Sequence, residues 1–215
     1  MGLQNPDAPV QIWVTPPCHN KAEDFVLCFF IYIQEERNLP SEKIIHPLQP
    51  VFSADSRILI LGTMPSPKSR ETGFYYGHPQ NRFWRVLAAV LQQSVPNSKE
   101  EKIHLLLQND IALWDVLHSC SINGAEDASI QEPEVNDILG LLKRTSITKI
   151  FTTGQKAFSL YEKMVFPVVG IHAVCLPSTS PANCRCSFTQ LLQAYSCIAE
   201  ELQIMGDDLG KDKTV

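Results

Sequence analysis

The sequence predicts an α/β fold, a three-layer α/β/α sandwich with a mainly parallel four-stranded central sheet. Two observations in the pattern carry that prediction, and a third in the composition permits it. Four short apolar runs read as buried strands, and they alternate with segments whose apolar residues recur every three or four positions. Such alternation folds into a parallel sheet covered by helices. At 215 residues and 44 % apolar content, the chain can bury one sizeable core.

The first forty or so residues stand apart, with Pro6, Pro9, Pro16, Pro17 and Pro40 and only the apolar run 25–33 patterned. Residues 1–43 therefore read as an N-terminal extension of unassigned role and 44–203 as the compact domain. Its first strand is 57–61, apolar throughout after Arg57 and ended by Gly62. Residues 81–91 read as a helix, because Phe83, Trp84, Leu87, Ala88 and Leu91 share one face and Pro79 precedes its start, where proline does no harm. A second helix at 100–108 leads to a second strand at 111–117. Val135, Ile138, Leu139 and Leu142 predict a helix over 134–143, and the third strand, 149–153, stops at Gly154. A helix over 157–164, a fourth strand at 173–176 and a closing helix over 188–202, with Leu191, Leu192, Tyr195, Ile198 and Leu202 on its apolar face, complete the domain. Residues 204–215 read as a polar, frayed tail.

Lys and Arg total 18 against 23 Asp and Glu, so the chain is mildly acidic overall. The charge is unevenly placed. Residues 55–85 hold Arg57, Lys68, Arg70, Arg82 and Arg85 against Asp55 and Glu71, residues 143–185 hold six basic residues against Glu162, and 100–137 between them hold nine carboxylates against Lys102. Two basic segments flanking an acidic one either fold into a basic face, as a phosphate-contacting surface requires, or are the solvated faces of helices.

Seven cysteines at irregular spacing, with no CxxC pair, argue against a secreted disulfide framework and for reduced thiols. Cys184-Arg185-Cys186 has no second cluster at ligand spacing, so no metal site is expected. The run 25–33 is far short of the roughly 20 residues that span a bilayer. Glu23-Asp24 and Pro16-Pro17 precede it and no cleavage site follows, which argues against a signal peptide. The expected location is cytoplasmic, or nuclear in a eukaryote.

Strand ends deliver two loops to one edge of the sheet, 62–81 and 177–186, and that edge is where open α/β sheets hold their sites. The first loop, beginning Gly62-Thr63-Met64-Pro65-Ser66-Pro67-Lys68-Ser69, has the spacing of a phosphate-binding P-loop with Pro67 at the second glycine. Pro65 and Pro67 remove two backbone donors and hold φ at about −65°, so a nucleotide triphosphate cradle is not expected.

The pair Gly62-Thr63-Met64-Pro65-Ser66 and Leu176-Pro177-Ser178-Thr179-Ser180-Pro181-Ala182-Asn183 resembles motifs one and two of the uracil-DNA glycosylase superfamily. The intervening Tyr75-Tyr76-Gly77-His78-Pro79-Gln80-Asn81-Arg82-Phe83-Trp84 is similar to the mismatch-specific branch and, most closely, to the hypoxanthine-DNA (deoxyinosine) glycosylases. The resemblance covers roughly 44–202. It implies a monofunctional DNA glycosylase of base excision repair that hydrolyses the N-glycosidic bond of a deaminated base, hypoxanthine first, acting as a monomer on DNA with no metal or organic cofactor and no membrane partner.

Under that resemblance Gly62, Thr63, Met64, Pro65, Tyr75, Tyr76, His78 and Asn183 form the base pocket. An enzyme of this kind must take the base out of the stack. Tyr75 and Tyr76, with Phe74, offer faces on which it can stack, worth roughly 1–3 kcal/mol per base. Core packing is the other reading of these rings, and Tyr76, nearer the His-Pro turn, is the better pocket candidate. Several branches carry Asp or Asn at the third position of motif one to orient water, and Met64 stands there instead. The catalytic role falls on Asn81, the asparagine that the hypoxanthine branch implicates, whose carboxamide could hold a water or bond the base edge. Asn81 could equally cap the helix that it begins. His78 is either a base or phosphate contact or a brace of its turn.

Ser66, Ser178, Thr179, Ser180 and Arg185 are the expected DNA contacts, with Pro181, Ala182 and Asn183 as the wedge that enters the duplex. Many relatives begin motif two with histidine where this chain has Leu176, which weakens the case for uracil and leaves Asn183 to assist a purine. Lys68 is the lysine of the first loop, and no lysine stands out as a Schiff-base nucleophile. A uracil or mismatch glycosylase on the same scaffold, and a non-catalytic module that binds damaged DNA, are the alternatives.

Overall fold

A computed structural model describes residues 42–122 and 129–208, so the extension at 1–43 lies almost wholly outside the described residues, as does the end of the tail. In chain order the elements are β1 (Glu42–Ile45), β2 (Ile58–Gly62), α1 (Pro67–Thr72), α2 (Phe83–Val90), α3 (Lys99–Leu107), β3 (Ile111–Asp115), β4 (Leu117–Ile122), β5 (Gln131–Val135), α4 (Ile138–Leu142), β6 (Lys149–Thr153), α5 (Gln155–Leu160), a π-helical turn (Tyr161–Val165), α6 (Phe166–Val169), β7 (Ala173–Leu176) and α7 (Phe188–Asp208). Among the described residues no helix is long and apolar enough to cross a membrane.

The predicted four-stranded sheet is present, in the order β3-β2-β6-β7, with every neighbouring pair parallel. Strand β2 is central and buried along its whole length. Its side chains alternate between two faces. Ile58 and Ile60 join a core built with Phe83, Val86 and Leu87 of α2, Leu105 and Leu106 of α3, and Leu191, Tyr195 and Ile198 of α7. Leu59 and Leu61 join a second core with Ile138 and Leu141 of α4, Ala157 and Leu160 of α5, and Tyr161 and Val165 of the π turn. Each such Leu or Ile contributes about 1.5–3 kcal/mol by leaving water, so β2 anchors both layers.

The second layer departs from the sequence expectation. The run 111–117 is not one strand: β3 ends at Asp115, the chain turns at Val116, and β4 enters an antiparallel sheet of order β1-β4-β5. The corner is held by backbone bonds, Val116 N–H donating to Gly62 O at 2.9 Å and Leu117 N–H to Thr63 O at 3.1 Å. Buried Asn136 clamps it, its Nδ2 donating to both Asp115 O and Leu117 O at 2.9 Å.

The helix predicted over 134–143 shrinks to α4, because Glu134 and Val135 pair with β4 and Asp137, accepting from Gly140 N–H at 2.8 Å, caps the helix after them. Residues 62–81 are not all loop. Ser66 caps the short helix α1, Pro67 occupies its first turn, and Gly73 closes it in a left-handed conformation. The helix predicted over 157–164 begins earlier, at Gln155, and continues through the π turn to Val169. The backbone of α7 runs to Asp208, into the stretch read as tail.

Candidate active site

The carboxyl ends of β2, β3 and β6 and the loop after β7 surround a cleft of about 570 Å³, within the range of small-ligand sites. Asn81 lines it, as do Gly62, Thr63, Met64, Pro65, Tyr75, Tyr76 and Asn183 of the expected base pocket. Of the expected DNA contacts, Ser66, Ser178, Thr179, Ser180 and Ala182 also line it. His78, Pro181 and Arg185 do not. His78 braces its turn, its Nδ1 accepting from Gln80 N–H at 3.1 Å and its carbonyl from Asn81 N–H at 2.8 Å. Arg185 is exposed beside the cleft's second loop.

Two glycines at strand ends let the walls close up. A Cβ on Gly62 would lie 2.2 Å from Asp115 Oδ1, so only glycine lets that carboxylate rest against β2. Gly154, at φ +99°, follows β6, and a Cβ there would meet Ser178 Cβ at 3.3 Å.

Asp115 is a cleft residue that the sequence reading passed over. The parallel register sets it opposite Gly62, and it is 4 % exposed. Buried charge demands a partner, and the partner is His46, whose Nε2 lies 2.9 Å from Asp115 Oδ2. Leu48 N–H donates to His46 Nδ1 at 3.2 Å, so Nε2 carries the ring hydrogen and donates it to the carboxylate. The antiparallel sheet delivers this histidine, whose own N–H continues the β1–β4 ladder by donating to His118 O at 2.7 Å. The signal in the sequence is an aspartate inside an otherwise apolar strand. Nothing local marks His46 as its partner.

The three aromatic residues divide as their environments dictate. Phe74 and Tyr75 are buried in the core, and the Tyr75 hydroxyl donates to Gln49 O at 2.9 Å. Tyr76 is half-buried, at a positive φ of 52° that a bulky residue adopts only under constraint. Phe83 stacks on its ring, centroids 3.8 Å apart, and its hydroxyl meets Thr153 Oγ1 at 2.9 Å. Burial first, and then the charge of Asp115, hold the phenol far above the ordinary tyrosine range.

Asn81 has one orientation. Phe83 N–H donates to its Oδ1 at 3.0 Å, and a backbone N–H can only donate, so the atom there is oxygen. Buried Thr179 donates its hydroxyl to the same Oδ1 at 2.9 Å. The oxygen meets the first N–H of α2, one residue ahead of the Arg82 N-cap position, and ties the two loops together, and the NH₂ is what the side chain has left to offer the cleft.

The second loop is organised from inside by Arg82, which the sequence reading counted only as a basic charge. Its guanidinium donates to the carbonyls of Ser180 at 3.2 Å, Asn183 at 3.0 Å and Cys186, and more loosely to that of Thr179. Within the loop, Ser180 N–H donates to Ser178 Oγ and Ala182 N–H to Ser180 Oγ, each at 3.3 Å. Both serine oxygens thus accept from backbone while their O–H donors remain, the arrangement that an anion needs. Asn183 donates its NH₂ to Ser178 O at 2.9 Å, leaving its oxygen. Ser66 Oγ accepts from Ser69 N–H as the cap of α1.

Known proteins resemble this part of the chain. A family model for the uracil DNA glycosylase superfamily matches residues 49–196, a span that includes both loops. A hypoxanthine DNA glycosylase of Methanosarcina acetivorans is 33 % identical over 138 residues, 64 % of this chain and 87 % of that protein. Its namesake in Methanosarcina barkeri is 32 % identical over 137 residues, 63 % and 86 % of the two. The solution NMR structure of a candidate uracil DNA glycosylase from Methanosarcina acetivorans matches with a TM-score of 0.62 at 31 % identity, covering 74 % of this chain and 99 % of that one.

Proposed function

Because the chain belongs to the uracil DNA glycosylase superfamily, we propose that it excises a deaminated base from DNA, with hypoxanthine, the base of deoxyinosine, as its substrate. The observation that carries the reading is the fixed carboxamide of Asn81 in a cleft where the third position of the first motif is the thioether of Met64. The two hypoxanthine DNA glycosylases that it resembles supply the choice of base.

A flipped purine enters the cleft against the face of Tyr76 opposite Phe83. The C1′–N9 bond then breaks with its electron pair leaving on the base, the oxygen of water bonds to C1′, and the water's proton passes to the base. Negative charge grows on the base as it departs. With its oxygen already engaged, Asn81 meets that charge through its NH₂, and such a donor in a water-poor site is worth about 10²–10³ in rate.

Along the second loop, the Ser178 and Ser180 hydroxyls grip phosphate, Arg185 adds charge, Pro181 and Ala182 enter the gap in the duplex, and Asn183 turns its free oxygen to the base. His78 supports this surface through its turn. No lysine lines the cleft among the described residues, and Lys68 pairs with Glu71 at 2.8 Å. Both observations support hydrolysis without a Schiff base. The same reading has it act as a monomer, in the compartment that holds the DNA.

The test uses duplexes that each carry one deoxyinosine, deoxyuridine or deoxyxanthosine, incubated with the protein and then treated with alkali to cut abasic sites. Cutting at inosine, with little at uracil, is the expected result. Preference for uracil would assign the chain to a uracil or mismatch enzyme. Binding without cutting any substrate would leave a damage-recognition module.

A further inference from the structure

We propose that Thr179 is a positioning residue for Asn81: its buried hydroxyl sets the carboxamide in the orientation that the reaction uses and joins it to the loop that grips DNA. This role rests on the glycosylase reading above and names the group that readies its catalytic side chain.

Thr179 stands between Ser178 and Ser180, and the sequence reading grouped all three as DNA contacts. The structure separates them. Ser178 and Ser180 are half-buried at the cleft, whereas Thr179 is 1 % exposed. Its hydroxyl donates inward to Asn81 Oδ1 at 2.9 Å, and its carbonyl accepts from Arg82 N–H at 3.1 Å. One residue of the second loop thus brackets two consecutive residues of the first. The loop is pinned on either side of it: buried Tyr195 donates its hydroxyl to Pro177 O at 3.0 Å, and Arg82 donates to the carbonyls of Ser180 and Asn183. A β-branched side chain has little χ1 freedom, so the place of the Thr179 hydroxyl follows from the backbone of the loop.

Two donors on one oxygen do what one cannot. Phe83 N–H alone, at 3.0 Å, would leave the Asn81 carboxamide free to pivot about its oxygen, carrying the NH₂ along an arc. The Thr179 hydroxyl stops the pivot. It also fills the second lone-pair site of that oxygen, so neither water nor a donor on DNA can capture the oxygen and turn the NH₂ away. Both donors draw electron density from the nitrogen, and cooperative polarisation of this kind strengthens a hydrogen bond by about 10–30 %. The NH₂ that meets the departing base is therefore aimed from the DNA-gripping loop. A nucleotide that seats Ser178 and Ser180 seats the catalytic donor with them.

The experiment measures, for the full chain, the single-turnover rate at saturating protein on a duplex with one deoxyinosine, beside the Kd for a duplex that carries a stable abasic analogue. Thr179→Val keeps the branched shape and removes the hydroxyl. It should slow excision by about 10–10²-fold, the scale of a misplaced group, while the Kd stays near the wild-type value and shows that the variant is folded. Thr179→Ser, which keeps the donor, should recover most of that loss. In an Asn81→Ala background Thr179→Val should cost no further rate, because the effects of residues that act as a unit do not add. Full rate in Thr179→Val would overturn the proposal, and so would a Kd that weakens as much as the rate falls, since Thr179 would then be a phosphate contact. Equal losses with and without the Asn81 side chain would overturn it too, because the hydroxyl would be acting independently of that residue. A wild-type protein that excises no inosine would instead refute the glycosylase reading beneath it.

Discussion

Two polar depressions lie at opposite ends of the parallel sheet, and they differ in what their side chains have left to give. At the amino ends of β2 and β3, Arg57 donates to Asp110 Oδ2 at 3.1 Å and to Leu202 O at 3.0 Å. Asn109 donates to Leu105 O at 2.7 Å and accepts from Gln93 at 3.1 Å. These groups bond one another and tie α7 to the sheet. At the carboxyl ends each group is held by half of its bonding capacity: Asn81 by its oxygen, Asp115 by Oδ2, and Ser178 and Ser180 by their lone pairs. The other half faces the cleft. Polarity alone does not mark a site; polar groups fixed in place with a valence open do.

Substitutions break this contrast in a graded way. The largest effect belongs to Asn81→Ala, which should lower single-turnover excision of inosine by about 10²–10³ while binding to an abasic-analogue duplex stays near the wild-type level. Full activity would remove Asn81 from the chemistry. Gly62→Ala comes next. Its Cβ, 2.2 Å from Asp115 Oδ1, forces the carboxylate aside, and a displacement of that kind costs up to about 10²-fold, read in the same assay. Arg82→Ala frees the second loop from its carbonyl contacts. Unfolding in urea should show a loss of about 1.5–3 kcal/mol, with KM for the duplex rising more than kcat falls. Arg57→Ala, at the opposite end, should leave excision unchanged and cost about 1 kcal/mol or less, because its ion pair is part-exposed. Loss of activity there would erase the distinction between the two ends.

The parallel sheet was legible because its strands are short apolar runs, β2 and β6 stopped by glycine, and the burial of β2 on both faces leaves that pattern little room to mislead. The antiparallel sheet was not legible. Strand β5, with the sequence QEPEV, is mostly exposed and carries no alternation. Strand β1 has four residues. Strand β4 follows β3 so closely that one strand served for both. The site divides along the same line. Its two loops and Asn81 lie in local motifs, whereas Asp115 and His46 meet across 69 residues through the sheet that the sequence hid. Arg82 was visible as a charge, but its inward turn to four carbonyls depends on where the second loop folds.

The most direct test of the central claim is the single-turnover rate of Asn81→Asp on a duplex with one deoxyinosine. The substitution keeps an oxygen for Phe83 N–H and the Thr179 hydroxyl and replaces only the NH₂. A loss as deep as that of Asn81→Ala is the predicted result, because the donor to the departing base is gone. A rate at or above wild type would contradict the account, since the side chain would then act as an acceptor that holds the water.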